Sequence, residues 1–386
     1  MAYKDFSGRG KVAVVKTSPA TVLEDVGKVM RLAGYQDVIE PSANISLKIN
    51  ISWQVFFPAC STAPWQLDGV IRTLLDDGYD REKIHASQNR TVVVSAYEGE
   101  VNNRLKPVLE QHNIGNIHIY EPGIEWMRYE PKEPLLVLDQ VYPDGIYIPK
   151  YFVGENVIHL PTFKTHVFTT TTGAMKNAFG GLLNEKRHWT HSVIHETLVD
   201  LLTIQREIHP GIFAVMDGSV AGDGPGPRAM RPHIKEYLMA SADQVAIDSI
   251  AQKMMGFDPM QTKYTRLAHE KGLGVANPRD IEVIGEDVEK VNWHFQGKED
   301  TFASRGQKLI YWGPLKPLEK ALLRSPIVPW SFLASNLYHN TYWYNRIGRK
   351  RVDEFLETDW GKLFLSYPGP AISEQHVSNM PTGEKA

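Results

Sequence analysis

Cysteine is nearly absent from this chain of 386 residues: Cys60 stands alone. One thiol excludes an internal disulfide, a multi-cysteine zinc site and an iron–sulfur cluster held by the chain itself, and it suits a reducing compartment. An excess of one charge is missing too. The 42 basic and 45 acidic residues leave a formal charge of −3, which offers no electrostatic footprint for a nucleic acid. Long apolar runs are also lacking. The start, Met1 to Lys11, carries charges but no apolar stretch of secretory length, and no later run is long enough to span a bilayer. The expectation is a cytoplasmic protein with a small-molecule partner, with peripheral membrane contact and homo-oligomerisation left open.

What is present is the rhythm of an α/β fold. At this length a single core stops growing, so one large unit with an appended region, or two domains, is expected. Lys11–Lys16 reads as a strand and 21–32 as the helix after it, with Val22, Val26, Val29 and Met30 on one face. Residues 45–51 alternate at period two, 65–75 return to helical spacing, and 83–87 and 117–120 are further short strands. Crossover helices between strands imply mostly parallel sheet. A buried strand over 156–160 then leads into a polar loop, 161–172, and a helix from Gly173 to Phe179 stopped by Gly180-Gly181. A helix over 192–207 precedes a strand, 212–216, that delivers Asp217 to its end. A helix over 243–255 and a strand over 280–284 complete the pattern.

Beyond Glu289 the rhythm stops. Trp293, Trp312, Trp330, Trp343 and Trp360 are spread among prolines and basic residues. The division expected is an α/β domain over 1–289, with room for two lobes meeting near 150–180, and an aromatic-rich helical extension over 290–386. Within 330–351, aromatic residues stand beside Arg346, Arg349, Lys350 and Arg351, a composition that suits either a membrane surface or docking on the body or a second subunit.

The stretch His159-Leu-Pro-Thr-Phe-Lys-Thr-His166, with Thr172-Gly-Ala-Met-Lys-Asn-Ala-Phe-Gly180, resembles the hallmark of the domain of unknown function 362 family. Lys48-Ile-Asn50, Thr62-Ala-Pro64, the acidic glycine stretch from Asp217 to Pro225, Asp243 to Asp248, Met255-Gly256 and Gly272-Leu-Gly274 look like its other landmarks, which together cover roughly 11–286. Many members carry ferredoxin-like cysteine clusters, which this chain lacks. A second resemblance is to the amino-terminal domain of nickel-pincer lactate racemases, where a Lys-Pro-His-like turn precedes a cofactor-tethering lysine by ten residues, the separation of His166 and Lys176 here. That resemblance implies a proton-transferring histidine at 166 and a metal-holding histidine among His188, His191 and His195. The glycine-rich tether sequence of that family is replaced here by threonines.

Chemically, Lys164, His166 and Lys176 suit a small carboxylate or carbonyl substrate. A histidine moves protons near neutral pH, and two neighbouring lysines depress each other into a useful range. The bland alternative is a loop cap and a solvated helix residue. Lys176 in the first turn of its helix would place an anion beside Thr170, Thr171 and Thr172, unless these threonines only cap. Lys48, Asn50, Asn177, Asp217 and Asp223 are candidate cofactor contacts, with a glycine–proline turn as the alternative at Asp223. His191 and His195 share a helix face if the helix begins by Trp189, which with His188 would suit zinc, iron or nickel; ordinary surface or substrate-facing histidines are the alternative.

The expectation drawn from these residues is an enzyme of oxidoreductase or isomerase type on a small anionic or carbonyl substrate, with a transition metal or organometallic cofactor. The competing expectation is a non-catalytic carrier for a cofactor or lipid, docking through its tail.

Overall fold

In the computed structural model the described residues are 5–89, 94–297, 299–300, 302–319 and 337–375. Their strands are β1 (Lys11–Lys16), β2 (Ile45–Ile49), β3 (Ile84–Gln88), β4 (Gly115–His118), β5 (Trp126–Tyr129), β6 (Ile146–Pro149), β7 (Asn156–Leu160), β8 (Thr162–His166), β9 (Thr170–Thr171), β10 (Ile212–Asp223), β11 (Arg231–Ser241) and β12 (Glu282–Gly285). The main sheet runs β12-β1-β11-β10-β7-β2-β3-β4, with β8 joined to β10 and to β9, while β5 and β6 form a separate ribbon. Every junction from β10 through β7, β2 and β3 to β4 is parallel, as are β1–β12 and β8–β10, whereas β11 runs antiparallel to its neighbours β1 and β10 and β9 antiparallel to β8. The fold is α/β with a mostly parallel mixed sheet.

Both faces are covered. Ala13 and Val15 pack in one core with Val22, Val26 and Met30 of helix Val22–Leu32 and with Leu67 and Val70 of helix Pro64–Asp76. Val12 and Val14 point the other way, into a core with Ile247, Ile250 and Met254 of helix Gln244–Met255. Period-two side-chain direction turns each strand into a partition between two cores, and each fully buried Val or Leu contributes roughly 1.5–3 kcal/mol. The same geometry explains β2: its alternating sequence, Ile-Ser-Leu-Lys-Ile, is buried at every position because the strand is central.

The sequence reading needs correction at two places. The stretch 161–172 is not a loop. After Pro161 the chain resumes as β8, buried throughout, and returns as β9. Nor does Asp217 end a strand, because β10 continues to Asp223 and then pairs with β11, which the sequence pattern did not indicate. The glycines that suggest a turn are there for close approach. A Cβ at Gly218 would lie 2.7 Å from the Phe163 ring, and one at Gly222 2.5 Å from Met230 Sδ.

The tail is helical at Phe302–Tyr311, Arg349–Leu356 and Asp359–Ser366. It packs on the body. Trp343, Tyr344, Phe355, Trp360 and Phe364 join the core that holds Trp53, Phe56, Phe57 and Trp65. Phe56 stacks on Phe364 at 3.8 Å between centroids, and Trp53 Nε1 donates to Asn340 Oδ1 at 2.8 Å. The aromatic stretch that suited either a membrane surface or docking on the body or a second subunit buries Trp343 and Tyr344 in the protein; Trp330 and the rest of 330–336 lie outside the described residues. Among the described residues no helix is long and apolar enough to cross a membrane.

Candidate functional site

The site forms beside the carboxyl ends of the parallel strands, where open α/β sheets place ligands. β2 brings Lys48 there, and β8 brings Lys164 and His166. Between β2 and helix Pro64–Asp76 the chain turns back on itself. Asn50 N–H donates to Thr62 Oγ1 at 2.9 Å, and Ser52 Oγ donates to Asn50 Oδ1 at 3.1 Å. The turn receives Lys164, whose Nζ donates to Ser52 Oγ at 3.1 Å and to the Cys60 carbonyl. Asn50 therefore shapes the wall of the site through its neighbours.

Three lysines dominate the electrostatics. Burial pushes the Lys48 amine down to about 7, with help from Arg187. Burial likewise takes Lys164 to about 8 and Lys176 to about 7, the latter also repelled by Lys164 and Arg187. None of the three forms an ion pair with a carboxylate among the described residues. Lys48 bonds to the Ile49 carbonyl, and Gly180-Gly181 lies against its stem: a Cβ at Gly181 would sit 3.1 Å from Lys48 Cε. Lys164 is fully buried, whereas Lys176 keeps part of its surface, with the Phe179 ring 5.4 Å from its nitrogen and no protein hydrogen bond among the described residues. Lys176 is thus the least restrained of the three amines.

His166 is buried with them. Desolvation first, then Lys176, His191, Lys164 and His195, hold its imidazole well below the ordinary histidine range. The ring is therefore neutral at pH 7, and because Nδ1 accepts the Phe168 N–H at 3.1 Å, the proton resides on Nε2. Nε2–H is thus the hydrogen-bond donor of the His166 ring. His191 has the opposite tautomer: Nδ1 donates to the His188 carbonyl at 2.9 Å, which leaves Nε2 as acceptor, and burial lowers its pKa to about 4.

The expected metal set does not assemble. The helix begins at Ile194, and His188 and His191 precede it in a 3-10 stretch, so His191 and His195 do not share one α-helical face. His191 stacks on Tyr311 at 5.8 Å and His195 on Tyr264 at 6.1 Å. Among the described residues no group of three or more His, Cys, Asp or Glu is placed to hold a metal ion. As placed, these donors do not fit the metal half of an organometallic cofactor.

The helix after the threonines is short, Gly173–Asn177, and its N-terminus is already occupied. The Asp248 carboxylate accepts the N–H groups of Ala174 at 2.5 Å and Met175 at 3.1 Å. An external anion there is excluded by a carboxylate from helix Gln244–Met255, which corrects the expected role of Thr170, Thr171 and Thr172. Thr171 Oγ1 bonds to Tyr264 and Gln252, Thr170 holds a positive φ of 68° at the hairpin, and Thr172 N–H donates to the Lys164 carbonyl at 3.0 Å. Asn177 Nδ2 donates to the Lys48 carbonyl at 2.8 Å, tying this helix to β2. Two acidic candidates face elsewhere. Asp217, pushed up to about 6 by burial, bonds to Ser219 and lines a small aromatic cavity with Phe56, Trp65 and Phe364. Asp223 accepts from Arg231 at 3.0 Å and from Gln296 N–H at 2.6 Å.

The sequence reading missed three contributors. Arg187 presses electrostatically on Lys48, Lys176 and His191. Arg228 donates through Nε to the Ser52 carbonyl at 3.3 Å, and its buried Nη1 has no hydrogen-bond partner among the described residues. A basic residue closing the glycine–proline stretch 222–227 is a signal that sequence could have offered for Arg228. The third, Tyr311, comes from the tail: its ring lies over His191 and meets Phe168 edge-on at 5.6 Å.

A family model described as "Domain of unknown function (DUF362)" matches residues 45–253, the segment that carries Lys48, Lys164, His166, Lys176 and Arg228. A thylakoid-associated protein of Synechocystis sp. is 32% identical over 137 residues, which is 34% of this chain and 40% of that relative. The match therefore spans less than half the length of that protein. No solved structure matches.

Proposed function

From the premise that this chain belongs to the domain of unknown function 362 family, we propose that it is an enzyme that binds a small anionic, carbonyl-bearing substrate and uses Lys176 as its reactive amine. The carrying observation is that the Lys48, Lys164 and Lys176 amines are desolvated together with no carboxylate paired to them among the described residues. Such a cluster is costly when empty and is relieved by an anion, which also restores charge to whichever lysines face it. Lys164, still mostly charged at pH 7, and Arg228 supply the positive field, joined by Lys48 once an anion is bound, and Lys176, near 7, supplies a large fraction of neutral amine at physiological pH.

The chemistry follows from these protonation states. Lys176 Nζ attacks the carbonyl carbon as the free amine; the C–N bond forms as the C=O π bond breaks, and the oxygen takes one proton from that nitrogen and one from solvent and departs as water, leaving a protonated Schiff base. The Nε2–H of His166 stabilises negative charge developing on that oxygen, as a neutral hydrogen-bond donor rather than as the proton-transferring group expected from sequence. The iminium then acts as an electron sink: a proton passes from the adjacent carbon to a water molecule, the C–H electron pair moves into the enamine, and the carbon takes a proton back from water, an isomerase-type outcome.

The test is borohydride trapping. Full-length protein is incubated with pyruvate as a minimal keto-acid probe, reduced with cyanoborohydride, digested and mapped by mass spectrometry. The expected adduct is on Lys176, absent from Lys176→Met and suppressed by competing phosphate. Labelling spread evenly over surface lysines, or unchanged in Lys176→Met, overturns the reading.

A further inference from the structure

We propose that the tail segment 302–319 docks this protein on an anionic lipid surface. Four of the twelve exposed large apolar side chains among the described residues fall within ten positions: Leu309 at 49% exposure, Trp312 at 43%, Leu315 at 40% and Leu318 at 51%. They form one patch because the chain folds back on its own helix. Leu315 N–H donates to the Leu309 carbonyl at 3.1 Å, and Gly313 permits this, since a Cβ there would lie 2.8 Å from Leu309 Cα. A patch of Leu and Trp this concentrated marks an interaction surface.

Charge selects the occupant. Over 302–319, Arg305 and Lys316 stand as exposed cations beside the patch, with Glu319 the one carboxylate of the segment, while Lys308 is paired with Asp300. Leucines and a tryptophan flanked by lysine and arginine match the apolar depth and negative surface potential of a membrane interface. The indole suits it further: Trp312 Nε1 donates to the Ser192 carbonyl at 2.9 Å, so its ring is held in place before docking. The same segment places Tyr311 over His191, which puts the candidate site directly behind the docking surface. This inference stands on exposure and charge, independently of the chemistry proposed above.

The experiment is co-sedimentation of the full chain with vesicles of phosphatidylcholine alone and of phosphatidylcholine mixed equally with phosphatidylglycerol. Retention is expected on the anionic vesicles, weakened by 0.5 M salt, and lowered at least tenfold in Leu315→Glu/Leu318→Glu, on the order expected for replacing two apolar contacts by like charge. Both leucines are exposed, so circular dichroism of the variant should match wild type. Failure of wild type to sediment with anionic vesicles, or equal retention of the variant, overturns the proposal. So does a wild-type dimer in light scattering that the variant converts to monomer without any vesicle binding, because a second copy then covers the face.

Discussion

Asp248 and Gly173 fit each other with no space to spare: a Cβ on residue 173 would lie 2.3 Å from Asp248 Oδ1, and the backbone there holds φ at +84°. The carboxylate needs that proximity to reach two successive N–H groups of the helix carrying Lys176. Gly173→Ala is therefore expected to cost about 3 kcal/mol or more, from left-handed backbone strain plus a steric clash. Denaturant melts measure this. Coupling to Asp248→Ala in a double-mutant cycle should be non-zero, whereas additive losses would mean that the two residues act separately.

Lys48 gives a pH-dependent stability of definite sign. Its folded-state value of about 7 lies below the ordinary lysine value near 10.4, so between these limits the unfolded chain binds more protons and stability rises with pH. Lys48→Met removes that linkage. The variant is expected to be more stable than wild type by about 1–4 kcal/mol at or below pH 7, with the gain shrinking towards pH 10. Thermal melts of both proteins across pH 6–10 without ligand decide it, and a gain that stays constant with pH contradicts the assigned direction.

His166→Ala separates binding from chemistry. If Nε2–H acts on developing charge, anion affinity changes by less than about threefold, while the trapping rate at Lys176 falls about 10²- to 10³-fold. Calorimetric titration with phosphate and the time course of pyruvate adduct formation supply the two readouts. The rate should also rise through pH 7 as the Lys176 amine deprotonates and then level off.

The tail is part of the body's core. Trp360, 1% exposed, packs on Trp65 at 5.2 Å between rings, so Trp360→Ala should destabilise by about 3–5 kcal/mol. Calorimetry should show one cooperative transition at a lower temperature. A separate early transition, with the main one unchanged, would show that the tail unfolds independently.

Much of the architecture was legible before any coordinates. β1, β2, β3 and β7, and the helices that follow β1 and β2, were found from β-branched runs and apolar spacing, because their cores impose those patterns. β8 was hidden because Thr162, Lys164, Thr165 and His166 are polar yet buried. The second half of β10 was hidden by Gly218 and Gly222, which are small to admit Phe163 and Met230 and look like turn residues from sequence alone. β11 went unseen because half of its positions are only partly buried and no simple alternation marks it. Lys164, His166 and Lys176, singled out by their spacing in one stretch of sequence, also lie close enough in the fold to influence one another electrostatically.

The sequence by itself determined the single thiol, the balanced charge, the α/β rhythm and which cationic side chains crowd one stretch of chain. Tertiary structure alone decided their states: Asp248, Arg187, Arg228 and Tyr311 arrive from elsewhere in the chain, and the proton on His166 sits where the Phe168 N–H leaves room for it. A side chain's identity is local, but its desolvation and its charged neighbours are set by packing between distant segments. No one-dimensional spacing encodes the loss of water that turns a surface lysine into a neutral amine.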